Sequence, residues 1–263
     1  MLIVLSPAKT LDYASPIVDV APTKPEFAAD AKRLVGVLRE LSPVEVARLM
    51  DLSDALAALN VARYAAYRAS PRAADARPAV LAFDGDVYDG LRAREFDADA
   101  LAVVQQRLRI LSGLYGVLRP LDAMQPYRLE MGTRLANERG RDLYAWWGDR
   151  PAKALRRALR DAGGGTLVNL ASEEYFRAVD VDALRAPVVQ PVFQDRRGDG
   201  WKVISFNAKR ARGAMARFAI ERRLDDPEGL KDFDADGWRF APRASDASTW
   251  VFRRERPVDA PAA

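Results

Sequence analysis

Four apolar runs in this 263-residue chain each end in side chains able to do chemistry. "MLIVL" is followed by Ser6-Pro7-Ala8-Lys9 and "AVLAF" by Asp84-Gly85-Asp86. "RIL" is followed by Ser112-Gly113-Leu114-Tyr115-Gly116, and "LVNL" by Ala171-Ser172-Glu173-Glu174. A lysine after a Ser-Pro turn can stand in solvent, hold a phosphate or, once desolvated, act as a nucleophile. Two aspartates one residue apart can bind a cation, hold a ribose or shape a turn. Ser-Gly-x-Tyr-Gly lets a backbone approach a ligand closely, or merely supplies positive φ. Ligands of open α/β sheets bind outside the carboxyl ends of the strands. If the four runs are parallel neighbours, their ends converge on one cleft.

The segment from Ser112 to Thr133, "SGLYGVLRPLDAMQPYRLEMGT", would wall that cleft. It carries Tyr115, Arg119, Asp122, Tyr127, Arg128 and Glu130, a set able to form either a salt-bridge network or a site. Further on, "AKRARGAMARFAIERR" is a basic amphipathic helix. Its Lys209, Arg210 and Arg212 are expected near the helix start, where free N–H groups favour phosphate.

Composition narrows the chemistry. There is no Cys and no His. A disulfide framework, a thiolate nucleophile, a Ser-His-Asp triad and His or Cys metal ligation are therefore excluded. Catalysis would have to use Asp, Glu, Lys, Tyr, Arg or backbone groups. We expect no metal and no cofactor. The net charge is +4, and all but seven of the 41 basic residues are Arg, the better fork for phosphate. The apolar start is too short for a signal peptide or a membrane span, so a cytoplasmic protein with no membrane partner is expected.

The elements that must position these groups alternate. "MLIVLS" and "RPAVLAF" (77–83) read as short strands, and "DGDVYDGL" as a loop between elements. Residues 30–69 read as three helices joined by serine-marked turns. Ser42, Pro43 and Glu45 form a capping box with Pro at the first helical position, and Ser53 opens the next helix. "DADALAVVQQRLRIL" reads as a helix running into a strand, "LYAWWGDRPAKALRRALRDA" as one helix, "GGGTLVNLAS" as a turn and strand, and "EEYFRAVDVDAL" as one short helix. "PVVQPVFQD" and "WKVISFNAK" read as a hairpin across Arg196–Gly200. Two strand-like pieces end the chain, and the terminal "RPVDAPAA" is expected to fray. The fold class is α/β of mixed α+β character: one mixed-sheet domain over 1–263, with a helical module at about 30–69 inserted after the first strand. The last third reads as β-rich and antiparallel, against a purely doubly wound sheet.

"LSPAKTLD", "GDVYDGL", "LRILSGLYGVLRPLDAMQPYRLEMGT", "NLASEEYF" and "KRARGAMARF" occur in the order and spacing of the YaaA family of bacterial peroxide stress proteins, which the chain resembles over nearly its whole length. The resemblance implies a single α/β fold, a helix-hairpin-helix element and a positively charged cleft that binds DNA. It also implies protection against hydrogen peroxide by limiting intracellular free iron and oxidative damage. Matched motif by motif, the implied cleft residues are Lys9, Asp86, Ser112, Tyr115, Arg119, Asp122, Tyr127, Arg128, Glu130, Asn169, Ser172, Lys209, Arg210 and Arg212. The hairpin element would fall near residues 32–60, where "LSPVE" replaces the usual Gly-x-Gly turn.

Two functions of different class follow. One is a non-catalytic protein that binds double-stranded or structured DNA, with phosphate contacts dominating. The other is an enzyme acting on a nucleotide or damaged base, with Lys9, Asp86 and Glu130 as catalytic groups and a nucleotide-like ligand.

Overall fold

The first apolar run becomes a central strand. In the computed structural model, which describes residues 1–255, β1 (Leu2–Leu5) is buried along its whole length. The expectation for the "RPVDAPAA" tail lies outside the described residues. β1 pairs in parallel with β2 (Leu108–Ser112), and β3 (Gly116–Leu118) folds back antiparallel beside β2. On its other side β1 pairs in parallel with β4 (Leu167–Leu170), and β4 with β5 (Val188–Arg197). β6 (Gly200–Lys202) pairs antiparallel with β5, as the hairpin reading required. β7 (Arg239–Phe240) runs antiparallel to β8 (Thr249–Arg254), and β8 joins β5 in parallel. The eight strands make one mixed sheet: seven run in the order β7-β8-β5-β4-β1-β2-β3, and β6 pairs with β5 off this path. Strands covered on both faces read as unbroken apolar runs, which is why "LIVL" lacks alternation. β5 does alternate: Val189, Phe193 and Asp195 point inward and Gln190 outward. Among the described residues, the last third is thus antiparallel within the β5–β6 and β7–β8 pairs, and the β5–β8 pairing is parallel.

The helical module forms as read. α1 (Ala28–Arg39) buries Ala31, Leu34, Val35 and Leu38. α2 (Pro43–Met50) starts with both halves of its capping box: Glu45 N–H donates to Ser42 Oγ at 3.3 Å, and Ser42 N–H to the Glu45 carboxylate at 2.8 Å. α3 (Asp54–Ala66) is capped by Ser53.

Four local readings are corrected by tertiary contacts. The run 77–83 is not a strand of the main sheet. Arg77–Pro78 bridges to Ala123–Met124, Ala79–Ala82 makes one helical turn, and Phe83–Asp84 pairs with Thr10–Leu11. The N–H groups of Ala79 and Val80 donate to the Asp122 and Pro120 carbonyls at 3.0 and 2.9 Å. Those bonds hold the turn, and periodicity cannot tell a short buried run of this kind from a strand. "DGDVYDGL" is a helix, α4 (Asp86–Leu91), whose Val87, Tyr88 and Leu91 are buried. α5 (Ala98–Arg107) leads into β2 as expected. The long helix expected from Leu143 is two, α6 (Leu143–Trp147) and α7 (Arg150–Asp161), broken where Gly148 takes φ 52°. "EEYFRAVDVDAL" likewise splits into one-turn helices at Glu173–Phe176 and Val181–Leu184, the second capped by Asp180.

The basic helix is longer than read. α8 (Ser205–Glu221) begins within "ISFNAK", so Arg210 and Arg212 lie past its first turn. The free amides at the helix start are therefore not beside them, and any anion they hold is held by their side chains.

Candidate functional site

A cavity of about 480 Å³ opens at the carboxyl ends of β1 and β4. Chain segments from five places wall it. Ser6 to Thr10 leave β1, Asp84 to Val87 enter α4, and Ser172, Glu174 and Tyr175 follow β4. Tyr127 to Glu130 come from the long central segment, and Lys209 and Arg212 from α8. Three of the four apolar runs are neighbouring parallel strands, and the fourth reaches the cavity as the turn before α4.

Local bonds fix this geometry. Ser172 N–H donates to Ser6 Oγ at 2.8 Å and Ser6 Oγ–H to Ser172 Oγ at 3.2 Å, which ties the two strand ends together. Tyr88 OH donates to the Ser6 carbonyl at 3.0 Å. The central segment is held from behind. Ser112 Oγ and Tyr127 OH lie 2.6 Å apart, and Tyr115 meets Tyr127 edge-on at 5.5 Å. Gly113 is required there: a β-carbon on it would stand 2.3 Å from the Leu129 carbonyl oxygen. From the module, Tyr64 OH donates to the Arg128 carbonyl, so α3 braces the same wall.

The wall carries four basic and four acidic side chains: Lys9, Arg128, Lys209 and Arg212 against Asp84, Asp86, Glu130 and Glu174. Glu130 accepts from Lys9 and Arg128, each at 3.1 Å. Lys209 lies 3.6 Å from Asp86. Arg212 differs. It is half-buried, and among the described residues no carboxylate, carbonyl or hydroxyl is bonded to it. Burial holds its pKa below the usual guanidinium range, with no anion near enough to restore it. Arg128 adds a buried Nε without a partner. A half-buried guanidinium that lines a cavity and spends no hydrogen bond on the described residues can accept an anion from outside.

The structure gathers Lys9, Asp86, Tyr127, Arg128, Glu130, Ser172, Lys209 and Arg212 from the expected set. It places the others elsewhere. Ser112, Tyr115 and Asn169 are buried behind the wall, where Ser112 Oγ accepts from Tyr115 N–H and Asn169 Oδ1 from Ala171 N–H. Arg119 is bound to Asp122 at 2.9 Å and to the Lys24 carbonyl at 2.9 Å. Arg210 faces Asp236 at 3.9 Å. Ser6, Asp84 and Glu174 join the wall beyond that set, and the polar ends of their apolar runs were the available signal.

Among the described residues, no group of three Asp or Glu is arranged to hold a metal ion, and no helix is long and apolar enough to cross a membrane. What fold and cavity define is a mixed α/β protein whose one large sheet ends in a charged hollow with an unpaired arginine. Residues 1–244 match the family described as peroxide stress protein YaaA. The chain is 57% identical over 258 residues to a UPF0246 protein of Aromatoleum aromaticum, covering 97% of this chain and 99% of that one. It is 57% identical over 255 residues to a UPF0246 protein of Ralstonia nicotianae, with the same two coverages. The chain belongs to the YaaA family of peroxide stress proteins.

Proposed function

We propose that this protein serves the peroxide stress response by binding DNA through the cavity and the adjoining face of α8, and so helps limit free iron and oxidative damage. The observation that carries the reading is Arg212, a half-buried guanidinium with no partner among the described residues, three residues from Lys209 on the same helix face. Phosphate oxygens are the ligands that such a fork accepts best. Among the described residues no group of three Asp or Glu is arranged to hold a metal ion, so we assign the effect on iron to events at the nucleic acid. The test is DNA affinity against salt for wild type and Arg212→Ala. Log affinity falls linearly with log salt, and the variant weakens binding to all sequences alike with a slope lower by about one. An unchanged slope and affinity would refute the reading.

A second reading has its own support: Lys9 shares the cavity with Asp84, Asp86, Glu130 and Glu174, more carboxylates than a phosphate grip requires. An enzyme acting on a nucleotide or damaged base would use Lys9 as nucleophile and a carboxylate to stabilise an oxocarbenium-like sugar. The Lys9 side chain is 65% exposed, whereas Schiff-base lysines are usually desolvated, which places this reading second. Borohydride trapping on abasic DNA, with Lys9→Ala as control, decides it: an adduct lost in the variant establishes the lyase, and no adduct removes it.

A further inference from the structure

The cavity's charge balance sets how much of a nucleic acid it can hold. A concave wall with as many carboxylates as cations takes one phosphate and leaves the rest of a strand to the face of α8. It suits a ligand with a single phosphate and a sugar with two hydroxyls. Resting on the nucleic-acid reading above, we propose that the cavity is a mononucleotide site: Arg212 binds one phosphate, and Asp84 and Asp86 accept from the sugar hydroxyls.

Three features support this. A volume of about 480 Å³ falls within the range of small-ligand sites. Arg212 supplies one unspent guanidinium, while Lys9, Arg128 and Lys209 are already held by Glu130 and Asp86. Pro7, Ala8 and Leu129 add apolar surface on which a base can lie. A free nucleoside monophosphate offers both the phosphate and the sugar hydroxyls; a 5′-phosphorylated strand end offers the phosphate alone, its sugar oxygens being held in the backbone.

Calorimetric titration of the full chain with AMP, adenosine and inorganic phosphate tests the proposal. The expected result is that AMP binds at least about tenfold more tightly than either fragment, because both halves of the site contribute. Arg212→Gln, shown to be folded by its circular dichroism melt, removes that advantage. Asp86→Asn weakens AMP but not phosphate, so the assignment does not depend on one variant. Comparing 5′-phosphorylated with 5′-hydroxyl oligonucleotides separates the two sources: a preference for the phosphorylated strand as large as the preference for AMP assigns a strand end and overturns the sugar contacts, and none assigns the free nucleotide. If AMP fails to bind while DNA binds with its full salt slope, the mononucleotide site is overturned and DNA binding stands. If AMP binds and DNA does not, the site stands and the DNA reading falls.

Discussion

Gly213 of α8 packs directly onto Val87 of α4: a β-carbon on Gly213 would stand 1.7 Å from the Val87 carbonyl oxygen. The reverse contact is nearly as close, with a β-carbon on Gly90 falling 2.1 Å from the Arg210 carbonyl oxygen. These two glycines let the helices cross backbone to backbone, and that crossing brings Lys209 and Arg212 to the cavity beside Asp86. Gly213→Ala gains about 1 kcal/mol of helix propensity. It also forces one backbone away from another, an overpacking cost of about 1–3 kcal/mol or more. The net expectation is destabilisation. Gly36, exposed within α1 with nothing inside 4 Å of its would-be β-carbon, is the control, and Gly36→Ala stabilises by about 0.5–1 kcal/mol. Urea melts of both variants check the opposite signs.

The α2 capping box gives a second, local prediction. Hydrogen bonds from the Ser42 side chain and backbone hold the Glu45 carboxyl below its usual range. Ser42→Ala removes an oxygen that accepts from Glu45 N–H and costs about 1 kcal/mol. The Glu45 pKa, followed by carbon-13 NMR, moves back up in that variant. A Glu45 titration that does not respond would show that the cap does not persist in solution.

The serine caps and the buried strands were legible because each depends on a few adjacent residues. "LSPVEV" encodes its own helix start, and "MLIVL" and "LVNL" need only be apolar and interrupted. Residues 77–91 were not legible: the turn at Ala79–Ala82 is fixed by carbonyls of Pro120 and Asp122, and α4 by its bed on α8. "ISFNAK" looked extended because Ile204 and Phe206 favour strands, yet it opens α8. In the site, residue type revealed which segments meet but not which side chains face the cavity. Ser112 and Tyr127 sit in the same 112–133 segment, and only the fold puts Tyr127 on the wall and Ser112 behind it. That Arg212 has no partner among the described residues is legible in no sequence, since it depends on which acids fail to reach it.

Burial makes high pH the vulnerable side. Desolvation raises the pKa of Tyr88, Tyr115, Tyr127 and Tyr175 above the usual 10.0. Below pH 10 both states hold these protons and the folded chain keeps its full stability. Above it the unfolded chain releases them while the folded one retains them, so stability falls as pH rises. Unfolding by far-ultraviolet circular dichroism and tyrosinate absorbance at alkaline pH should coincide. Tyrosinate forming well before the fold is lost would contradict the packing described for these rings. Tyr127→Phe removes one such group; it also costs the 2.6 Å bond to Ser112.

Glu130 decides between gripping and catalysis with opposite signs. Its carboxylate is shared by Lys9 and Arg128, and it cancels charge that an anion would otherwise feel. Glu130→Gln keeps the shape, frees two cations and leaves the wall with more positive charge than negative. If the cavity works by binding, the variant holds phosphate-bearing ligands more tightly, by about 1 kcal/mol at low salt, with a steeper salt dependence. If Glu130 is a general acid or base, the same change lowers turnover by about 10²-fold or more, whatever it does to affinity. Anisotropy titrations at several salt concentrations beside a base-release assay separate the cases. Tighter binding without any base release in the wild type assigns Glu130 to charge balance, because a partner that restrains Lys9 and Arg128 until an anion arrives has no proton to move.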